Sequence, residues 1–191
     1  MIRVFILGAF LAPVLFASTS ARANDALWAK LAEGGKVVLM RHAPVKQDHE
    51  NGDPFVRAPS YKKERNLSAE GERGARIIGE KFRQHNIPIS EVRHSPFRRT
   101  TDTAKLAFGA GVPVDYLSLL EVLEPKEAAA RTAQLNQIIG SYKGPGNLIL
   151  ITHEPNINAV SFETMKYLDF LVLHPKGGEQ FDELGVVTLS E

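Results

Sequence analysis

Three polar clusters carry the residue types that could do chemistry. They are Arg41-His42, Ser95-Pro96-Phe97-Arg98-Arg99 and His153-Glu154. Each follows an apolar or strand-like run: Val37 to Met40, Ser90 to His94, and Asn147 to Thr152. Arginine and histidine together suit a dianion. The guanidinium fork matches phosphate oxygens, and imidazole can serve as nucleophile, hydrogen-bond donor or base. Other mechanisms lack parts. The chain has no Gly-x-Ser-x-Gly elbow, no Gly-rich loop ending in Gly-Lys-Ser or Gly-Lys-Thr, and no His-Glu-x-x-His motif. It has no cysteine, which excludes a thiol nucleophile, a thiolate zinc site and a disulfide framework. His42 and His153 could bind a metal in principle, but the adjacent arginines would repel it. No cofactor is expected.

Elements must bring these clusters together. Val37 to Met40 and Leu148 to Ile151 are short, fully apolar runs that contain β-branched residues, as buried strands do. Ser90 to His94 is a second strand, Val112 to Leu120 a strand and loop, and Val186 to Leu189 a last strand. Ser68 caps a helix in which Ala75, Ile78, Gly79 and Phe82 recur at helical spacing. Further helices are expected over 97–108, over 126–142 with Ala129, Ala133, Leu135 and Ile138 as packing positions, and over 155–167. Residues 43–66 read as one long loop. Strands alternating with helices predict an α/β sandwich with a mostly parallel sheet, in which ligands bind at the carboxyl ends of the strands. All three clusters sit at such ends.

The motifs, taken in order, resemble the histidine phosphatase superfamily, the phosphoglycerate-mutase-like fold. They are Leu39-Met40-Arg41-His42-Ala43, Asn66 to Gly71, Ser95-Pro96-Phe97-Arg98-Arg99 with Thr100 to Ala104, and Ile151-Thr152-His153-Glu154-Pro155-Asn156-Ile157. The resemblance implies a three-layer sandwich and a metal-independent phosphomonoesterase. It makes His42 the nucleophile that becomes phosphohistidine. Arg41 and Arg99 hold the phosphoryl oxygens, His153 adds a donor, and Arg98 lies at the rim. Leu119-Leu120-Glu121 fits the family's acid pattern, so Glu121 is the candidate general acid, with Glu124, Asp48, Glu50 and Asp53 as competitors. Lys62, Lys63 and Arg65 could reach an anionic substrate or could be a solvated loop face. His94 could line the site or be a partly exposed strand end. His49, His85 and His174 read as surface residues.

Composition narrows the class further. Lys plus Arg number 23 against 22 for Asp plus Glu, a balance that gives no support to nucleic-acid binding. Residues 1–23 read as a secretory signal: Arg3, a mostly apolar run from Val4 to Ala17, and Ala21-Arg22-Ala23 as cleavage site. Residues 24–191 then form one exported domain, with no second apolar stretch to anchor it in a membrane. The leader and the Arg65-Asn66-Leu67-Ser68 context resemble the exported bacterial branch, which implies a small phosphorylated substrate such as an envelope sugar phosphate. A mutase or phosphotransferase, or a phosphohistidine-protein phosphatase, would use the same chemistry. A phosphosugar-binding protein would follow if Glu121 cannot protonate the leaving group. Export has a direct check. N-terminal sequencing of protein from the soluble extracytoplasmic fraction should begin at Asn24, and an intact Met1 in the membrane fraction would overturn it.

Overall fold

The computed structural model describes residues 19–47, 52–57 and 63–189, with side chains from Asn24 onward. The expected leader therefore lies largely outside the described residues, as do Asp48, His49, Glu50 and Lys62.

Helix α1 (Thr19–Ala32) comes first and crosses the expected cleavage boundary. It is followed by β1 (Val37–Arg41), α2 (Ala69–Gln84), β2 (Ile89–His94), α3 (Arg98–Phe108) and β3 (Val112–Pro113). Two 3₁₀ turns (Asp115–Leu117 and Leu120–Val122) lead into α4 (Pro125–Gly140), β4 (Asn147–Thr152) and α5 (Glu154–Asn158). A hairpin of β5 (Phe170–Gly177) and β6 (Gln180–Val187) follows. The six strands form one sheet in the order β3-β2-β4-β1-β5-β6. β1, β2, β3 and β4 run parallel, while β5 and β6 pair antiparallel.

The apolar runs follow from burial on both faces. Along β1, Val38 and Met40 join one core with Leu27, Trp28, Ile78 and Phe82, beneath α1 and α2. Val37 and Leu39 join the opposite core with Leu117, Leu135 and Ile139, beneath α4. A strand sandwiched this way has no polar face, so period-2 alternation disappears. Each such side chain contributes about 1.5–3 kcal/mol relative to exposure. At the start of β4, the wholly buried Asn147 accepts a hydrogen bond from Lys36 N–H and donates to the carbonyls of Leu31 and Pro88.

Several expectations need correction. The helix expected over 155–167 ends at Asn158. Beyond it the Ser161 hydroxyl accepts from the Glu163 N–H and binds the Glu183 carboxylate, which competes with helix continuation. Ala129 and Ala133 are exposed, and α4 packs through Leu135, Ile139 and Gly140 instead. The sheet gains β5, a strand that was not expected, and β6 begins earlier than Val186. Two left-handed glycines, Gly177 and Gly178, make that hairpin turn possible. His174 is half-buried on β5 rather than on the surface.

Gly79 of α2 lies where a Cβ would run into the carbonyl oxygen of Ala107 in α3. The helices approach through that missing side chain. Gly79→Ala should therefore destabilise the fold by about 1–3 kcal/mol through overpacking, although alanine is the better helix former by about 1 kcal/mol. Equilibrium urea unfolding checks this. A midpoint at or above the parent's would show that the helices can separate without cost.

Candidate active site

The site follows from strand register. β1 and β4 pair parallel with Arg41 opposite Thr152, so the residues that come next, His42 and His153, emerge side by side. The His42 N–H donates to the Thr152 carbonyl at 3.1 Å, and the two rings lie 5.4 Å apart. On the other side of β4, His94 of β2 pairs with Ile151, and Ser95 follows. The turn Ser95–Phe97 then starts α3. Thr100 fixes that corner by donating to the Ser95 and Phe97 carbonyls. The Glu64 carboxylate, 5% exposed, accepts the first N–H of the helix, that of Arg98, at 2.6 Å. Thr103 accepts from the Ala43 N–H and donates to the Arg99 carbonyl, tying α3 to the loop after His42.

Arg99 thereby enters between the two histidines. Its Nε donates to His42 Nε2 at 3.2 Å, and its Nη2 donates to His153 Nδ1 at 3.1 Å. A guanidinium only donates, so both ring nitrogens present lone pairs. The remaining nitrogens then carry the protons. His42 Nδ1–H donates to the Ala43 carbonyl at 2.8 Å, and His153 Nε2–H to the Ser95 hydroxyl at 2.8 Å. Both imidazoles are neutral. Burial, then the charges of Arg99 and Arg41, pull His42 down to about 3, against the opposing pull of the Ala43 carbonyl. His153 is lowered by burial first, then by Arg99 and its neighbours. Arg99 itself is pushed down to about 10, chiefly by burial, and stays charged at neutral pH.

Arg41 reaches the same place from the end of β1. Its Nη1 contacts Glu154 Oε2 at 2.7 Å and donates to the Met165 carbonyl at 2.6 Å. Arg41 Nε and Arg99 Nη1 are buried donors with no partner among the described residues. A charged donor in that condition costs free energy until an acceptor arrives.

A cleft of about 360 Å³ opens here. His42, Arg41, Arg99, His153 and Glu121 all line it, with Arg65, Phe55, Glu154 and Tyr167. Arg98 turns outward to Asp102. Glu124 precedes α4 as its N-cap residue and is not among the lining residues, and Asp53 is exposed and accepts from the Phe55 N–H. Lys63 is exposed and does not line the cleft. His94 neither lines the cleft nor lies exposed. It is 2% exposed, and its Nδ1–H donates to the Ser95 carbonyl. Sequence reasoning missed Glu64, Glu154 and Tyr167 as parts of this site. Glu154 stands in a motif already singled out; the other two leave no local signal. Among the described residues no group of three or more His, Asp or Glu side chains could hold a metal ion, and no helix is long and apolar enough to cross a membrane.

Residues 37–122 match the sequence model of the histidine phosphatase superfamily (branch 1). No curated protein matches the chain in sequence. Among solved structures, the protein histidine phosphatase SixA complexed with tungstate is similar at 16% identity and a TM-score of 0.55, over 80% of this chain and 96% of that one. A phosphoglycerate mutase from Thermus thermophilus is similar at 18% identity and a TM-score of 0.54, over 81% of this chain and 99% of that one. At these identities the likeness is one of fold.

The neutral histidines make stability pH-dependent. His42 protonates near 6.5 when unfolded but only near 3 when folded. Between those values the unfolded chain binds more protons, so stability falls as pH drops, by up to about 1.4 kcal/mol per unit for this side chain. His153 acts in the same direction. His42→Asn should flatten the dependence measured by denaturant unfolding between pH 7 and pH 4. An unchanged slope would mean that His42 titrates normally in the fold.

Proposed function

The chain belongs to the histidine phosphatase superfamily, a group of phosphatase- and mutase-type enzymes, and from that premise we propose that it is an exported phosphomonoesterase working through phosphohistidine. The observation that carries this reading is the pair of unsatisfied buried guanidinium donors, Arg41 Nε and Arg99 Nη1, beside a neutral imidazole whose Nε2 lone pair is held by the Arg99 Nε–H. Such a place has charge and donors for a phosphoryl group and a nucleophile to receive it.

The Arg99 Nε–H turns from His42 Nε2 to a phosphoryl oxygen, and the lone pair so freed attacks phosphorus. The bond from phosphorus to the ester oxygen breaks, and the departing alkoxide takes a proton from Glu121. The Ala43 carbonyl keeps the proton on Nδ1 and so directs the reaction to Nε2. Arg41 and Arg99 bind the equatorial oxygens, where charge is spread in the transition state. His153 holds Arg99 in place through Nδ1, anchored in turn by Ser95. Water then attacks the phosphohistidine, gives its proton back to Glu121, and the phosphorus–nitrogen bond breaks to release phosphate. Glu121 is the choice over Glu124 because only the former lines the cleft. Glu154 also lines it, but its carboxylate is engaged by Arg41. The substrate is a small phosphate ester. An envelope sugar phosphate suits an exported enzyme with a cleft of this size.

His42→Ala should abolish turnover and covalent labelling while leaving the fold intact. Glu121→Gln should cripple hydrolysis of alkyl and sugar phosphates, by the roughly 10²–10⁴-fold typical of general acid catalysis. It should slow phosphoenzyme formation from p-nitrophenyl phosphate far less, because nitrophenolate leaves without a proton. Phosphohistidine should then accumulate and give a burst of nitrophenolate. Phosphate release on both substrates, with rapid-quench detection of the phosphoenzyme, is the measurement. Equal losses on both substrates without a burst would move the acid role elsewhere. A parent protein that binds sugar phosphates without turnover would be a binding protein instead.

A further inference from the structure

Tyr167 joins the cleft from the loop between α5 and β5. Its ring lies 4.1 Å from the Arg41 guanidinium carbon and 5.4 Å from the His42 ring. Both polar anchors of Arg41, the Glu154 carboxylate and the Met165 carbonyl, meet the same nitrogen, Nη1. A planar cation held at one nitrogen can still pivot about it. A ring against its face removes that freedom, and cation–π attraction rewards the contact.

The backbone beneath Tyr167 is built to keep the ring there. Leu168 adopts φ +67°, a left-handed conformation rare for a branched side chain. Such a conformation persists only where its surroundings over-determine it. Here the Leu168 N–H donates to the Arg41 carbonyl, and the Arg41 N–H donates to the Asp169 carbonyl. The Asp169 carboxylate accepts the Lys166 N–H at 3.0 Å and is itself buried. Leu168 is 5% exposed and packs against Gly74, where a Cβ would collide with it. The loop therefore grips Arg41 twice, by its backbone and by its guanidinium.

We propose that Tyr167 is a positioning residue whose ring fixes the plane of the Arg41 guanidinium and so aims its unsatisfied Nε edge at the phosphoryl group. This rests on reading the cleft as a phosphoryl site. The ring acts, not the hydroxyl, so phenylalanine serves as well and leucine does not. The effect runs through Arg41 alone.

The experiment measures tungstate binding by calorimetry, and kcat and KM on p-nitrophenyl phosphate, for Tyr167→Phe, Tyr167→Leu, Arg41→Ala and the Arg41→Ala/Tyr167→Leu pair. Thermal unfolding of each variant reports folding separately. Tyr167→Phe should stay within about twofold of the parent. Tyr167→Leu should weaken tungstate binding and kcat/KM about tenfold, the size of a partly desolvated cation–π contact. On the Arg41→Ala background the same change should do nothing more, as a cycle through one contact requires. Parental binding in Tyr167→Leu would overturn the proposal. So would equal damage by phenylalanine, which would assign the role to the hydroxyl, or additive losses in the pair. A protein that binds tungstate in this Tyr167-dependent way but hydrolyses no phosphomonoester would uphold the positioning role and refute the phosphatase reading. A parent that neither binds tungstate nor turns over would refute both.

Discussion

Arg99 is a charged guanidinium, 4% exposed, held between the lone pairs of two imidazoles. Most other features of the site answer to that placement. A buried cation costs several kcal/mol unless it is hydrogen-bonded and its charge is answered. His42 and His153 supply the bonds and must stay neutral to do so. Burial and then the Arg99 charge lower their basicity, and the bonds to Arg99 set their tautomers. Glu64 answers the charge at longer range and also accepts the first N–H of α3. The helix that carries the cation and the carboxylate that balances it are thus fastened together. Thr103 adds a hydroxyl that holds the Arg99 carbonyl against the loop leaving His42. The contacts through His153, Glu64 and Thr103 set Arg99 in place before any ligand is bound, which is what electrostatic stabilisation of a bound anion needs.

The central strands were legible because burial on both faces leaves only apolar residues, and the reactive residues stand directly after them. β1 and β4 are the clear cases, and they bring His42 and His153 together. Arg99 was separable from Arg98 only through the motif, since adjacent residues on a helix point about 100° apart and either could face inward. The remaining parts were hidden for physical reasons. Glu64 acts across a fold contact 34 residues long. Tyr167 owes its place to a strained turn, and its sequence reads equally well as the end of a helix. Ser161 gives that helix an alternative partner for its backbone, an outcome that local pattern does not reveal. Leu27, Trp28 and Leu31 of α1 carry a helical spacing, but three residues over barely more than one turn are too few to mark a helix by themselves. The apolar run Phe170 to Leu173 marks β5, and the two-glycine hairpin that follows makes β6 pair antiparallel with it.

Asn147 carries a consequence for how the protein finds its native state. The facing segments Val37-Val38-Leu39-Met40 and Leu148-Ile149-Leu150-Ile151 are apolar on both sides. Sliding one against the other would still bury hydrocarbon everywhere, so hydrophobicity alone scarcely distinguishes alignments. A slip of one residue would nevertheless send each side chain, His42 included, to the opposite face. The amide of Asn147 breaks that degeneracy. Its three hydrogen bonds, to Lys36, Leu31 and Pro88, can be made together in one alignment, and any other strands a polar group in the interior. A single buried amide at the far end of β4 thus encodes which of several near-equivalent pairings becomes the sheet. Recovery of activity on refolding would then count correctly aligned molecules, a stricter measure than recovery of secondary structure.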